Sequence, residues 1–287
     1  MMVEHLSFKK GKRSRFTFVV FNYLFLTFLV VVMLIPIWKV IVDSIDPTSV
    51  GIRLWPKQFS LTAYVNILTR KSLYQPFLVS VYTTIMSTFV GLLMTTLAAY
   101  VILQKEIPGR GLMIAYIMFT MLFSGGMIPT YLTYKNLGLI NNLWAIILPA
   151  GLSTYNIVLM RSFFESIPST LYEAAELDGC TPLQTFYKIV LPLSKAALAS
   201  VGLFIAVGAW NSYMPYILYI TDTNKINFQV KVRDMILQDG LSGSSITAND
   251  DMLKSAAVIV TIFPFLIIYP FCQKYFTKGV TVGAVKG

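Results

Sequence analysis

Six long runs without a charged residue constrain the fold of this chain more than any other feature of its sequence. Each run is long enough to cross a hydrocarbon core, which takes roughly twenty residues as a helix. The runs are 16–38, 72–104, 111–134, 136–160, 196–221 and 255–273. Hydrophobic residues make up 56% of the chain and charged residues only 13%, unlike a soluble domain. Because backbone polar groups cannot stay unpaired in lipid, we predict an all-α membrane protein with six transmembrane helices.

The placement of Lys and Arg predicts which side of the membrane each connecting segment faces. Five basic residues lie in the N-terminal tail directly before the first run, which predicts a cytoplasmic N-terminus. Six spans return the C-terminus to the same side. The net charge of +10 is explained by attraction to anionic membrane lipid, since no soluble basic face exists for nucleic acid. The predicted parts are a basic tail (1–15), a first span with an extracytoplasmic loop (16–71), a transmembrane domain (72–273) and a cytoplasmic tail (274–287).

A polar segment, 170–192, separates two of the hydrophobic runs and is predicted to face the cytoplasm. Thr170 and Glu173 match a capping box, in which each side chain bonds a free N–H group at a helix start. Gly179 is the residue type best suited to the left-handed turn that ends a helix. The first half of the segment is therefore predicted to be a short, capped helix.

A second short helix is predicted to follow at once. Thr181 and Gln184 form another capping box, with Pro182 at the first helical position. This helix would enter the membrane near Pro192. From these local rules alone, an ordinary capped surface helix explains the segment equally well.

The spacing of residues in this segment resembles the EAA loop of the permease subunits of ABC importers. The matching residues are Glu173, Ala174, Ala175, Asp178, Gly179, Ile189, Leu191 and Pro192. Cys180 departs from the pattern, in which a small residue, often Ala, follows the Gly. In that family the loop is a coupling helix that docks into a cleft of a cytoplasmic ATPase. The resemblance implies this role for the first five of the matching residues.

The C-terminal sequence KGVTVGAVKG is similar to the tail of one branch, the maltose-type carbohydrate permeases. In that branch the tail runs between two ATPase subunits, which implies contacts there for Lys278, Gly279, Gly283 and Lys286. We expect an extended tail, whose ten residues would reach roughly 30 Å. The resemblance also implies the type I importer fold. Its implied partners are a homologous second permease in a heterodimer, two ATPase subunits and an extracytoplasmic solute-binding protein.

The residues that ATP hydrolysis or acyl transfer would require are missing from the sequence. It contains no Gly-x-x-x-x-Gly-Lys-Ser/Thr phosphate loop. His5 is the only histidine and lies near the N-terminus, which excludes a Ser-His-Asp triad and a His-ligated metal site. We therefore expect a non-catalytic chain without a cofactor of its own, with ATP and Mg²⁺ bound by the partner ATPases. Cys180 and Cys272 are both predicted near the cytoplasm, where a disulfide is not expected.

Three polar interruptions of the hydrophobic runs are candidates for the translocation path. Ser124 lies in the sequence FSGGMIP, where a broken helix that lines a cavity and a span that simply ends at Pro129 are both possible. Tyr155 and Asn156 lie within the fourth run, where polar groups serve either helix contacts or substrate. The last group combines an amide with aromatic rings, as sugar sites do, but an aromatic belt at the membrane interface has the same composition. Its members are Trp210, Asn211 and Tyr213.

Other functions remain compatible with parts of this pattern. FSGGMIPTY at 123–131 resembles the importers of complex or acidic oligosaccharides, yet a permease for amino acids, polyamine or phosphate would use the same mechanism. The C-terminal tail argues against that alternative. An ion-driven transporter would place ionisable residues inside its spans, and all six runs lack them. A scaffold without transport is the third alternative. Residues 39–71 and 222–254 are predicted to be polar outer loops.

Overall fold

The computed structural model describes residues 4–49, 51, 53–242 and 248–284, and every regular element within them is a helix. The first helices in chain order are α1 (Glu4–Ile45), α2 (Thr62–Thr69), α3 (Lys71–Leu103), α4 (Arg110–Leu122), α5 (Met127–Asn136), α6 (Trp144–Gly151) and α7 (Thr154–Glu165). The others are α8 (Ser169–Leu177), α9 (Pro182–Thr185), a π-helical turn (Phe186–Val190), α10 (Leu191–Leu193), α11 (Lys195–Trp210), α12 (Met214–Tyr219), α13 (Phe228–Ser242) and α14 (Ala248–Ala284). The chain folds as two compact units, Met1–Ile67 with Gly243–Val260 and Leu68–Ser242 with Thr261–Gly287.

Three helical stretches are long and apolar enough to cross a membrane unbroken. They are Arg15–Ile45, Lys71–Leu103 and Asn249–Pro270. Three further candidates are bent pairs: α4 with α5 at 119°, α6 with α7 at 41°, and Pro182–Leu193 with α11 at 82°. The described residues therefore contain from three to six spans. The prediction of six counts each bent pair as one span.

The two predicted outer loops contain more helix than expected. α1 continues beyond the predicted end of its span to Ile45, and α2 follows within 39–71. In 222–254, α13 covers 15 residues, and α14 begins at Ala248. Both helices contain residues that are buried in the fold, and packing of an apolar face overrides a mostly polar sequence. The sequence offered too little periodicity to predict them.

The expected extended tail is wrong over 278–284, because α14 continues through these residues to Ala284. Extending an existing helix adds one hydrogen bond for each residue fixed, so a tail attached to a long helix is easily helical. Lys278, Gly279 and Gly283 lie on this extension. Lys286 lies outside the described residues, and the contacts of the tail with ATPases remain a prediction.

The loop after α1, in the first unit, is organised around a single buried carboxylate, that of Asp46. One of its oxygens accepts hydrogen bonds from the Thr48 N–H at 2.8 Å and the Thr48 hydroxyl at 2.7 Å. The other accepts the Lys57 N–H at 2.7 Å. Burial acts to raise the pKa of Asp46, but the hydrogen bonds from the Lys57 and Thr48 backbones and the Thr48 side chain lower it to about 2. The charged carboxylate therefore ties the two ends of the loop together.

α3 is the central helix of the second unit and packs through a stripe of small and hydroxyl-bearing residues. The buried members are Ser80, Thr83, Ser87, Gly91, Thr95 and Ala99, which recur every three or four positions. Small residues allow helices to approach closely, which drives helix packing in membranes where lipid is as apolar as the side chains. A Cβ built on Gly91 would lie only 2.6 Å from the Cα of Gly151 in α6. The two backbones are therefore in direct contact.

One end of this unit has a core that joins four elements. Tyr100 of α3, Phe164 of α7 and Val201 of α11 are all buried, together with Phe186 and Val190 of the π-helical turn. The Tyr100 and Phe186 rings lie 4.9 Å apart. This core holds the segment between α8 and α11 against the long helices. A second core, around Ile146, Tyr216 and Tyr219 and including Ala145, Ile220 and Val230, joins α6, α12 and α13.

The third predicted run is not one helix. α4 ends at Leu122, and α5 starts at Met127 in a direction turned by 119°. Gly126 has a φ of +84°, which favours glycine, and no helix hydrogen bond can continue through it. Pro129 lies in the first turn of α5, where its missing N–H has no cost, so the helix breaks before Pro129 rather than at it.

Candidate functional site

The end of α8 is a Schellman motif centred on Gly179. Gly179 has a φ of +73°, and its N–H donates to the Glu176 carbonyl at 3.0 Å. The Cys180 N–H donates to the Ala175 carbonyl at 2.9 Å. These two bonds satisfy carbonyls that the helix end leaves free. The predicted glycine turn is confirmed, and it fixes the direction in which the chain leaves α8.

The start of α8 differs from the prediction. The helix begins at Ser169, directly after Pro168, and no side chain caps it. The Leu171 N–H donates to the Pro168 carbonyl at 3.1 Å, so Thr170 already lies inside the first turn. The Thr170–Glu173 capping box is therefore wrong, because a residue with helical backbone angles cannot act as the cap. Proline supplies the extended backbone that precedes the helix instead.

The second predicted capping box is present. The Thr181 N–H donates to the Gln184 Oε1 at 2.9 Å, and the Gln184 N–H donates to the Thr181 Oγ1 at 3.3 Å. The helix then widens, since the Leu191 N–H bonds the Phe186 carbonyl five residues back. Pro192 has no N–H to continue the normal pattern, which explains a π-helical turn just before it. The chain bends by 82° at Ser194 into α11.

Two tyrosine hydroxyls connect this segment to the long helices. Tyr100 in α3 donates to the Pro182 carbonyl at 2.9 Å, and Tyr172 in α8 donates to the Phe164 carbonyl at 3.1 Å. Burial raises the pKa of Tyr172 to about 12, with a smaller contribution from the nearby Tyr100, so its hydroxyl stays protonated and remains a donor. The segment is thus bonded at both of its short helices, and it can transmit a displacement to α3 and α7.

Most of the predicted coupling residues are exposed on this anchored segment. Glu173, Ala174, Asp178 and Gly179 are exposed, whereas Ala175 is buried on the inner face. Leu177 is 89% exposed and Leu183 is 64% exposed, although leucine is normally buried. The segment therefore presents carboxylates and apolar side chains together. Ala175 packs into the fold, so its small size serves the interior rather than a partner.

A cavity of about 590 Å³ lies between α5, α6, α7, α11 and α12 in the second unit. Asn156 of α7 lines it and is only 6% exposed. Its other lining residues mix aromatic rings, hydroxyls and apolar groups, and include Tyr134, Ser153, Phe204, Ser212 and Tyr219. Ser153, in the break between α6 and α7, lines the cavity and caps α7 by accepting the Asn156 N–H at 3.5 Å. A space of this size with few polar groups is suited to part of a small polar solute.

Of the six residues predicted for the translocation path, only Asn156 lines this cavity. Ser124 lies in the break between α4 and α5, where its Oγ accepts the Gly126 N–H at 3.3 Å. Tyr155 is exposed and is not among the residues that line the cavity. These two positions remain predictions. Asn156 is the residue that the structure brings together with the aromatic rings of Tyr134 and Tyr219.

The predicted aromatic group at the end of α11 does not form a platform. Trp210 is only 3% exposed, packs edge-on against Phe77 and Phe265, and donates through Nε1 to the Thr261 carbonyl at 3.1 Å. Its proposed contact with sugar is therefore wrong, because the ring is already enclosed. Asn211 donates to the Val207 carbonyl at 3.0 Å and accepts from Gln229. The Tyr213 ring is covered by the Arg233 guanidinium at 4.1 Å.

Sequence reasoning missed the residues that anchor and line the site. Tyr100 lies within an uncharged run, and its bond to Pro182 joins positions 82 residues apart. Tyr134 and Tyr219 flank helix ends, where aromatic residues also occur as an interfacial belt. In the sequence, only the nearby helix breaks indicated that Tyr134 and Tyr219 could line a site. Ser153 had a local signal, since a serine before a helix start is a common cap.

Comparison with known proteins identifies relatives along nearly the whole chain. The family model of the binding-protein-dependent transport system inner membrane component matches residues 107–282. The chain is 40% identical to the polygalacturonan/rhamnogalacturonan transport system permease protein YtcP of Bacillus subtilis (strain 168), over 92% of this chain and 96% of that protein. It is 30% identical to the trehalose/maltose transport system permease protein MalG of Thermococcus litoralis, over 88% of this chain and 90% of that protein. A solved structure of a bacterial ABC transporter involved in the import of the acidic polysaccharide alginate contains a similar chain. The TM-score is 0.84 at 30% identity, covering 92% of this chain and 98% of that one.

Bent apolar helices pack around a cavity, and an exposed polar segment is anchored at one end of them. The chain is accordingly a multi-pass membrane protein. It belongs to the family of binding-protein-dependent transport system inner membrane components. The prediction of an ABC importer permease of the carbohydrate branch is confirmed. Family members are transport components, in agreement with the expectation of a non-enzymatic chain.

Proposed function

We propose that this chain is one of two homologous permease subunits of an ATP-driven importer of oligosaccharides. It would form half of the translocation path, with six spans and both termini in the cytoplasm of a bacterial cell. Two cytoplasmic ATPases would bind ATP and Mg²⁺, and an extracytoplasmic binding protein would deliver the sugar. The chain itself would need no cofactor.

One observation carries this proposal: the segment from α8 to α10 is both exposed and bonded to the long helices. Its exposed leucines and carboxylates are suited to a protein cleft, because apolar groups at a contact are stabilised by losing water. The hydrogen bonds of Tyr100 and Tyr172 connect that contact to α3 and α7. α7 and α11 both line the cavity, so force applied at the segment reaches the residues around the solute.

The names of the relatives indicate the class of sugar. The YtcP relative is named for polygalacturonan and rhamnogalacturonan, and the similar solved structure for alginate, an acidic polysaccharide. Both are matched at 30% identity or more over 92% of this chain. We therefore propose oligosaccharides that contain uronic acids as the transported class. Neutral maltooligosaccharides serve as the contrasting class in a test.

The test is uptake by the complete importer in proteoliposomes with ATP on the ATPase side. We expect ATP-dependent uptake of galacturonate or mannuronate oligosaccharides, and little uptake of maltotriose. Uptake of amino acids or phosphate without any oligosaccharide uptake would refute the proposal. Preference for the neutral sugar would refute only the acidic class.

Two asparagines provide a matched pair of variants for the cavity. Asn156→Ala removes an amide that lines the cavity, and the loss of one hydrogen bond of about 1 kcal/mol predicts roughly fivefold weaker apparent affinity. Asn211→Ala removes an amide that is already bonded within the protein and lies outside the lining. Its apparent affinity for sugar should match the unmodified importer. Equal effects of both variants would show that the cavity is not the sugar path.

A further inference from the structure

The loop between α1 and α2 folds back along α1 and pairs two tryptophans. The Trp38 and Trp55 rings meet edge to face, with centroids 5.8 Å apart. Trp38 Nε1 also donates to the Leu54 carbonyl at 2.8 Å. Trp38 lies about 10 Å before the end of α1 at Ile45, at roughly 1.5 Å per residue. The loop therefore leaves the helix end and returns by that distance to reach Trp38.

The depth of Trp38 follows from the length of the first span. The uncharged stretch from Phe16 to Trp38 measures about 33 Å as a helix, against roughly 30 Å for a hydrocarbon core. Arg15 precedes this stretch and Lys39 follows it. When Phe16 lies at one boundary of the core, Trp38 lies at the other. Tryptophan is enriched at that depth because its ring is apolar and its N–H needs a polar partner.

α1 has the character of a helix that faces lipid at this level. Its membrane-crossing window has a mean hydropathy of 2.7, and none of it is buried within the structure. The stretch 16–38 contains no Gly, Ala or Ser and only two Thr, the residue types that allow helices to pack closely in membranes. α3 shows the opposite pattern, with a buried stripe of such residues. By composition, the stretch around Trp38 is therefore suited to lipid rather than to close helix packing.

We propose that the loop after α1 is a membrane-interface anchor that seats Trp55 in the headgroup region of the bilayer, at the depth of Trp38. Trp55 is 74% exposed, although it is a large aromatic residue held in a fixed position. The Asp46 carboxylate fixes the backbone near Trp55, because it accepts the Lys57 N–H two residues further along the loop. From there the chain reaches back to Trp38. This anchor goes beyond the transport function and requires no sugar.

A spin label measures the depth directly in the complete importer. Cys180 and Cys272 are replaced by Ser, and Trp55→Cys is labelled with a nitroxide in vesicles of phosphatidylcholine and phosphatidylglycerol. Gln58→Cys is the matched control, because Gln58 is exposed on the same loop and its backbone bonds Asp46 at the outer end. We expect the label at 55 to collide with oxygen and to be shielded severalfold from water-soluble nickel chelate, and the label at 58 to show the reverse.

The other outcomes overturn the anchor. Free access of the nickel chelate to position 55 would place the ring in water. Shielding from both reagents would show that the second permease or the binding protein covers it. A second measurement keeps the native ring: quenching of tryptophan fluorescence by lipids brominated near the headgroup should decrease in Trp55→Phe. Unchanged quenching in that variant would also overturn the proposal.

Discussion

The contact between Gly91 and Gly151 permits a sharp test of how tightly the second unit is packed. A Cβ at Gly151 would lie 2.6 Å from the Gly91 Cα and 2.9 Å from the Gly91 nitrogen. Carbon atoms in contact are about 3.5–4.0 Å apart, so Gly151→Ala must separate α3 and α6 by about 1 Å. Both clashing atoms belong to backbone, which has no rotamer with which to move aside. Gly151 has no positive φ, so steric contact alone determines the effect.

Overpacking of this kind costs about 1–3 kcal/mol. For a chain of this size we expect the melting temperature of Gly151→Ala in detergent to fall by on the order of 5 °C. Gly111→Ala is the control, because a Cβ at that helical position meets nothing within 4 Å. Alanine is the better helix former, so this control should melt no lower than the unmodified chain. Equal melting temperatures for both variants would refute the tight backbone contact, and with it the close packing of α6 on α3.

Four further predictions concern the coupling segment, the loop of the first unit and the tail. Gly179→Val should lower sugar uptake and sugar-stimulated ATP hydrolysis together in proteoliposomes, because valine disfavours a φ of +73°; normal uptake of a well-inserted variant would contradict the coupling role. Tyr100→Phe keeps the ring but loses the bond to Pro182, so more ATP should be hydrolysed per sugar imported, and an unchanged ratio would argue against this link. The lowered pKa of Asp46 means that its contribution to loop stability is complete above about pH 4 and is lost as the pH falls through about 2. The tryptophan emission of the intact chain should report that loss, and an Asp46→Ala variant should lack the transition. Deletion of Gly279–Gly287 should leave insertion intact but reduce the ATPase that copurifies with the permease, and full recovery of that ATPase would refute a role for the tail.

The sequence predicted those parts of the site that depend on local rules. The left-handed turn at Gly179 and the cap formed by Thr181 and Gln184 involve residues only a few positions apart, so their chemistry is visible in the sequence. The same rules failed at Thr170, where Pro168 gave the chain another way to start the helix. Neighbouring start signals compete, and local spacing does not decide which one is used.

The parts that could not be predicted depend on which face of a helix points inward. Trp210 and Asn156 both lie in apolar runs that contain a few polar groups, yet one is enclosed in the core and the other lines the cavity. In a membrane the hydrophobic pattern hardly distinguishes the two faces, because lipid and protein interior are both apolar. The hydrogen bond from Tyr100 to Pro182 could not be predicted for a similar reason, since it depends on how helices distant in sequence pack together.

The bend at Ser194 joins two helical stretches, Pro182–Leu193 and α11, at an angle of 82°. Ser194 is buried, and its N–H donates to the Val190 carbonyl at 3.0 Å. The two helical stretches therefore meet at a buried, hydrogen-bonded bend. α11 is about 24 Å long, and a rotation of α11 by about 10° about Ser194 would displace its other end by roughly 4 Å. Phe204 and Gly208 lie in α11 and line the cavity. On the proposed function, a small tilt of Pro182–Leu193 would therefore change the width of the cavity.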